Sequence, residues 1–110
     1  MVEKVLGNLK IASLNEMQQA AVAAAGKEKD VVLLAPTGSG KTLGFLLPVL
    51  SHLNAESKGV QTLILVPSRE LALQIEQVFK QMGTGFKVNC CYGGTLCEQR
   101  KTTLSSLLQY

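Results

Sequence analysis

No apolar stretch in this chain approaches the length of a membrane span, so a membrane-embedded helix is excluded as its working part. Met1 to Leu14 lacks the basic start and apolar core of a secretory leader, and the expected compartment is therefore the cytoplasm. Charge of one sign is scarce as well. Eleven Lys and Arg stand against eight Asp and Glu, a net charge of +3 over 110 residues. That balance permits contact with nucleic acid but excludes a protein whose main device is a dense basic surface. Cysteine is limited to Cys90, Cys91 and Cys97, and histidine to His52. Neighbours on a strand point to opposite faces, and no second Cys/His cluster exists to complete a zinc site. The cysteines read as reduced and structural, and His52 as a surface residue near a helix end. Repeats and low-complexity tracts are absent, and the length allows one small domain at most.

What the chain does have is Ala35-Pro36-Thr37-Gly38-Ser39-Gly40-Lys41-Thr42, between the apolar run Val31–Leu34 and a helical pattern from Leu43 to Leu53. A strand, a glycine-bearing turn ending in Lys-Thr and a helix form the phosphate-binding loop of nucleoside-triphosphate enzymes. Successive backbone N–H groups of such a loop point at phosphate oxygens, and the helix N-terminus adds its positive dipole end. Gly38 and Gly40 permit the tight path. Lys41 is placed to reach the β- and γ-phosphates, and the Thr42 hydroxyl to hold Mg²⁺; these two are the catalytic candidates. Ala35 stands where the general pattern has its first glycine.

Periodicity and turn residues predict the remaining elements. A helix fragment is expected from Val2 to Leu9. A second helix should be capped by Asn15, with Gln18 at capping-box spacing, an apolar stripe of Met17, Ala20, Ala21 and Ala24, and a stop at Gly26. The helix after the loop is apolar on most sides and should be largely buried, with a kink or early end at Pro48. Val60 to Val66 has the continuous apolar character of a strand covered on both faces. From Ser68 as N-cap, Leu71, Ile75, Val78, Phe79 and Met82 share one helix face, closed by Gly83 and Gly85. Phe86 to Tyr92 alternates like a strand with one less-buried face, Gly93-Gly94 turns the chain, and a last helix is expected over Cys97 to Leu108, with Arg100 and Lys101 as solvated charges. Strand–helix alternation of this kind predicts an α/β fold, a mostly parallel sheet with flanking helices and right-handed crossovers. Ligands then bind beyond the carboxyl ends of the strands, where the phosphate loop, Pro67-Ser68 and Gly93-Gly94 would gather.

Four segments in order resemble the first RecA-like domain of DEAD-box RNA helicases of superfamily 2. Gln18 stands 23 positions before Lys41, the interval between that family's Q-motif glutamine and its motif I lysine. Ala35 to Thr42 has the A-x-T-G-S-G-K-T form of motif I, Pro67-Ser68-Arg69-Glu70-Leu71-Ala72 looks like motif Ia, and Gly93-Gly94 looks like the GG motif. Upstream of Gln18 the chain departs from the pattern, with Lys10-Ile11 for Gly-Phe and Leu14-Asn15-Glu16-Met17 for Pro-Thr-Pro-Ile. The resemblance implies a partial RecA-like P-loop NTPase domain using ATP and Mg²⁺. Gln18 would read the adenine edge with its amide, and its capping bond back to Asn15 can coexist with that role. Ala35, Pro36, Thr37, Gly38, Ser39, Gly40, Lys41 and Thr42 would hold the nucleotide. Pro67, Ser68, Arg69, Gly93 and Gly94 would bind the backbone of single-stranded or duplex RNA, without reading bases.

The same resemblance implies that residues 1–110 are only part of such a domain. The third RNA-contacting motif, the Asp-Glu-Ala-Asp strand, the Ser-Ala-Thr motif and the second RecA-like domain do not occur in the sequence. Hydrolysis in this family needs those acidic groups and arginines from the second domain, so the expectation is a binding portion of an ATP-dependent RNA helicase, inactive by itself. Its sheet would be completed by the rest of a longer chain, by different pairing or by a partner chain. The alternatives are a non-catalytic nucleotide-binding or assembly module, and a superfamily 2 helicase acting on DNA; the form of motif Ia argues against DNA.

Overall fold

Capping residues set the helix ends. The computed structural model describes residues 2–91. Its helices are α1 (Val2–Asn8), α2 (Glu16–Lys27), α3 (Lys41–His52) and α4 (Arg69–Met82). The chain divides into two units, Met1–His52 and Leu53–Tyr110. The expected Cys97–Leu108 helix, Arg100, Lys101 and the GG pair lie outside the described residues.

In the first unit, α1 stops where Lys10 takes a left-handed backbone, φ 57°. Lys10 N–H donates to Gly7 and Ile11 N–H to Leu6, the nested pair that closes a helix at a left-handed residue. Asn15 then starts α2, its side chain accepting from Gln18 N–H while the Gln18 side chain accepts from Asn15 N–H. The stop expected at Gly26 falls two residues later. Gly26 remains helical, and extended Glu28 ends the element with its N–H on Ala24 O at 2.8 Å. The buried face of α2 also differs from the expected stripe: Ala20 is exposed, and Gln18 and Ala21 are buried. The amide of Gln18 turns inward because its polar ends find partners there.

Helix α2 packs against α3, which buries Leu43, Gly44, Leu46, Leu47 and Leu50. Pro48 does not end α3, which continues to His52. A proline inside a helix costs about 3 kcal/mol, and each fully buried leucine returns about 1.5–3 kcal/mol. Leu46, Leu47 and Leu50 straddle Pro48 and are 0–5% exposed, so packing outweighs the broken ladder. His52 is exposed at the helix end, as expected.

The second unit contains the most regular helix. Ser68 Oγ accepts from Leu71 N–H at 3.2 Å, and Gly83 closes α4 in the left-handed region at φ 64°, ψ 39°. Ile75, Phe79 and Met82 are buried on the expected face. In the segment after α4, Cys90 is buried while Lys87 and Cys91 are exposed, as the alternating pattern predicts, but Asn89 departs from it and is half-buried like Phe86 and Val88. Neither Cys90 nor Cys91 forms a disulfide.

The three runs expected as strands require correction. Among the described residues no strand is formed by 31–34, 60–66 or 86–91; Tyr92 lies outside them. Val32, Leu34 and Leu65 are 84–88% exposed, so these runs are not covered on both faces. The reason is that a strand exists only when a neighbour's backbone meets its N–H and C=O groups, and apolar side chains do not supply that neighbour. One-sided cover is nonetheless clear. Leu33 reaches α3, with its Cδ2 3.0 Å from where a Cβ on Gly44 would stand, while Val32 and Leu34 point away.

Gly44 is the close-approach point of the first unit. A Cβ there would also meet Met17 Sδ at 3.1 Å. Gly44→Val is therefore expected to lower stability by about 1–3 kcal/mol through overpacking, measured by denaturant unfolding. Stability equal to the parent's would show that α2 and Leu33 do not press on α3.

Candidate nucleotide-binding loop

The site lies within the first unit and is built from one turn and two helix starts. Gly38 and Gly40 both take left-handed backbones, at φ 81° and 86°. Between them Ser39 folds back on Pro36: its N–H donates to Pro36 O at 3.3 Å and its Oγ at 2.6 Å. The first helical bond of α3 runs from Gly44 N–H to Gly40 O at 3.1 Å. The N–H groups of Lys41, Thr42 and Leu43 precede that bond and so lack an intrahelical acceptor. They sit at the positive end of a twelve-residue helix. Lys41 is exposed and Thr42 half-buried on the same first turn.

Gln18 joins this loop to α2. It is 5% exposed, and each end of its amide has a partner. Oε1 accepts from Asn15 N–H at 3.0 Å, and Nε2 donates to Gly40 O at 3.1 Å. Asn15 makes a second link that periodicity did not reveal: its Nδ2 donates to Ser39 O at 2.9 Å. The one available signal was the residue type, since asparagine has a donor to spare beyond its capping oxygen.

This donor set fits a triphosphate. A Cβ on Gly38 would meet nothing within 4 Å, so the loop is open on that side. Unpaired helix N–H groups and the Lys41 ammonium are the partners phosphate oxygens require. The Thr42 hydroxyl is the oxygen donor a hard cation such as Mg²⁺ takes.

Of the other candidates, Pro67, Ser68 and Arg69 are exposed and belong to the second unit, at the start of α4. Ser68 serves there as the N-cap. Gly93 and Gly94 lie outside the described residues.

Comparison with known proteins now bears on these features. The sequence model of DEAD/DEAH box helicases matches residues 15–109. The chain belongs to the DEAD/DEAH box helicase family. It is 42% identical over 83 residues to an ATP-dependent RNA helicase, DDX47, of Drosophila melanogaster, covering 76% of this chain and 16% of that protein. Identity to the ATP-dependent RNA helicase DeaD of Mycobacterium tuberculosis is 40% over 97 residues, 86% of this chain and 17% of the relative. A probable ATP-dependent RNA helicase, ddx17, of Dictyostelium discoideum is 47% identical over 75 residues, 62% of this chain and 10% of its own. The chain thus spans less than a fifth of the length of these relatives. No solved structure matches it. Membership of this helicase family implies a RecA-like fold, of which the described residues show helices and the glycine-bearing turn that leads into α3. Among the described residues no helix is long and apolar enough to cross a membrane.

Gly40 offers the sharpest test of the loop. A Cβ there would stand 2.5 Å from Gln18 Nε2, on a backbone that L side chains rarely adopt. Gly40→Ala is expected to displace the Gln18 amide, seen as shifted and faster-exchanging side-chain NH₂ resonances. Gly38→Ala carries the same backbone strain without the collision, and should leave those resonances in place. Equal behaviour of the two variants would show that Gln18 does not hold Gly40.

Proposed function

We propose that this chain is the ATP- and RNA-backbone-binding portion of an ATP-dependent RNA helicase that remodels RNA in the cytoplasm. The observation that carries the nucleotide half is the start of α3, where unpaired N–H groups, Lys41 and Thr42 share one turn beside a loop held open by two left-handed glycines. Backbone N–H groups of Gly40, Lys41 and Thr42 bind phosphate oxygens, and Lys41 bridges the β- and γ-phosphates. Ala35, Pro36 and Thr37 form the near wall of the cradle, and Ser39 fixes its turn through Pro36. The Thr42 hydroxyl would hold Mg²⁺, and the ion when bound would supply charge neutralisation at the phosphates. Gln18 selects adenine, using the amide capacity left beside its capping bond to Asn15 and its loop bond to Gly40 O. Family membership and the printed names of the relatives support ATP and RNA as the ligands.

The RNA half rests on Pro67, Ser68 and Arg69 at the start of α4, together with Gly93 and Gly94. Ser68 orders the first turn of that helix, and Arg69 stands on it with a cationic, exposed side chain. Contacts of this type position a sugar–phosphate backbone and carry no base information. The apolar runs 31–34, 60–66 and 86–91, unpaired as strands among the described residues, would join a mostly parallel sheet once neighbours from further chain or from a partner met their backbones. Residues 1–110 form part of one RecA-like domain. They lack the acidic groups and the second-domain arginines of hydrolysis, so this portion alone binds without turning over.

Lys41→Ala is expected to weaken Mg-ATP binding at least tenfold in titration calorimetry, with unfolding unchanged. Turnover above background by the 110-residue chain would overturn the assignment of hydrolysis to missing groups. For RNA, Arg69→Ala should lower affinity for homopolymers of different base by the same factor, and reduce the salt slope by about one. A loss confined to one base would contradict backbone binding.

A further inference from the structure

An N-cap needs only an acceptor, and Ser, Thr, Asp and Asn all provide one. Asn15 uses its Oδ1 in that way, accepting from Gln18 N–H at 2.9 Å. Its Nδ2 is then free for another task, and it donates to Ser39 O at 2.9 Å. Gln18 mirrors this arrangement: Oε1 serves the cap, and Nε2 donates to the next carbonyl, Gly40 O. One capping box therefore presents two amide donors to two consecutive carbonyls of the phosphate loop.

The peptide group turns that pairing into a directional device. In a planar trans peptide the C=O and the following N–H point in opposite directions. Holding Ser39 O against the start of α2 aims the Gly40 N–H away from α2. Holding Gly40 O there does the same for the Lys41 N–H. These are N–H groups to which the cradle assigns phosphate oxygens. The Gln18 bond is partly buried, and the Asn15 bond is exposed. The Asn15 link is thus the one that solvent can open first.

We propose that Asn15 is a positioning residue of the nucleotide site, whose amide orients the Ser39–Gly40 peptide so that the Gly40 N–H faces phosphate. This rests on the nucleotide-binding role proposed for the loop. Asn15 touches no reacting atom. It acts through the Ser39 carbonyl, and it couples loop geometry to the folding of the α2 cap.

Two substitutions remove the donor while retaining a competent N-cap. Asn15→Asp keeps the acceptor and adds charge; Asn15→Gly is neutral and costs a cap only a few tenths of a kcal/mol. The measurements on the 110-residue chain are helicity and unfolding midpoint, the amide ¹H–¹⁵N chemical shifts of Gly40 and Lys41 without nucleotide, and Mg-ADP affinity at low and high salt. Both variants should keep parental helicity, move the Gly40 amide resonance in the same direction, since its peptide loses the bond to the Ser39 carbonyl, and bind Mg-ADP about fivefold more weakly at either salt, as for one lost hydrogen bond. An unmoved Gly40 resonance in both variants overturns the proposal. So does weaker binding by Asn15→Asp alone that vanishes at high salt, because that is charge repulsion. If the parent fails to bind Mg-ADP while the Gly40 resonance still moves, the orienting role stands and the nucleotide role fails. If the parent binds and the resonance does not move, the orienting role alone fails.

Discussion

The reciprocal pair of bonds between Asn15 and Gln18 is the constraint on which the first unit depends. It satisfies two N–H groups at the start of α2, which is the usual work of a capping box. It also fixes both side-chain amides with their NH₂ ends facing the loop. Gln18 is buried, and a buried amide left without a partner costs about 1–3 kcal/mol. Gly40 O is therefore not a casual acceptor. Moving the loop off α2 would strand the Gln18 donor, so the helix start and the loop hold one another in place.

The same economy of contact governs the packing beneath. Gly44, one turn into α3, lies against Met17 and Leu33, and Met17 directly precedes Gln18. The distance between α2 and α3 is thus set four residues from Gly40, on the helix whose first turn carries the candidate phosphate donors. Pro48 can sit in α3 because the leucines around it are anchored against that packed face. Core and site are neighbouring parts of one interface, and a change in the helix spacing moves the donors that the loop presents.

Legibility followed the range of the interaction. Caps are local, so Asn15, Gln18 and Ser68 were readable from residue type and spacing, and α4 emerged with its expected face and its Gly83 stop. The glycines of the loop were readable for the same reason, since a left-handed backbone leaves few other choices. Strand formation is not local. Val31–Leu34 and Leu63–Val66 advertise strands by composition, yet pairing depends on chain that composition cannot name, and no ladder forms among the described residues. Gly26 misled because a glycine ends a helix only when it turns left-handed, and here it does not. The Asn15–Ser39 bond was hidden because a capping role already explained the residue.

These differences of range also separate binding from hydrolysis. The donors assigned to phosphate come from Gly40, Lys41 and Thr42, and the first two follow the Ser39 and Gly40 carbonyls held by Asn15 and Gln18, less than 30 residues away in sequence. Nothing in that set requires the strands to be paired. Hydrolysis, on the proposed reading, draws on acidic groups and arginines delivered by other strands and by another domain, which only a completed sheet can hold in register. The exposed sides of Val32 and Leu34 mark where such completion would begin, beside the loop they lead into. On that reading, a cradle that assembles from local contacts can form ahead of a catalytic centre that depends on distant ones, so affinity for nucleotide and its turnover are separable properties of the fold.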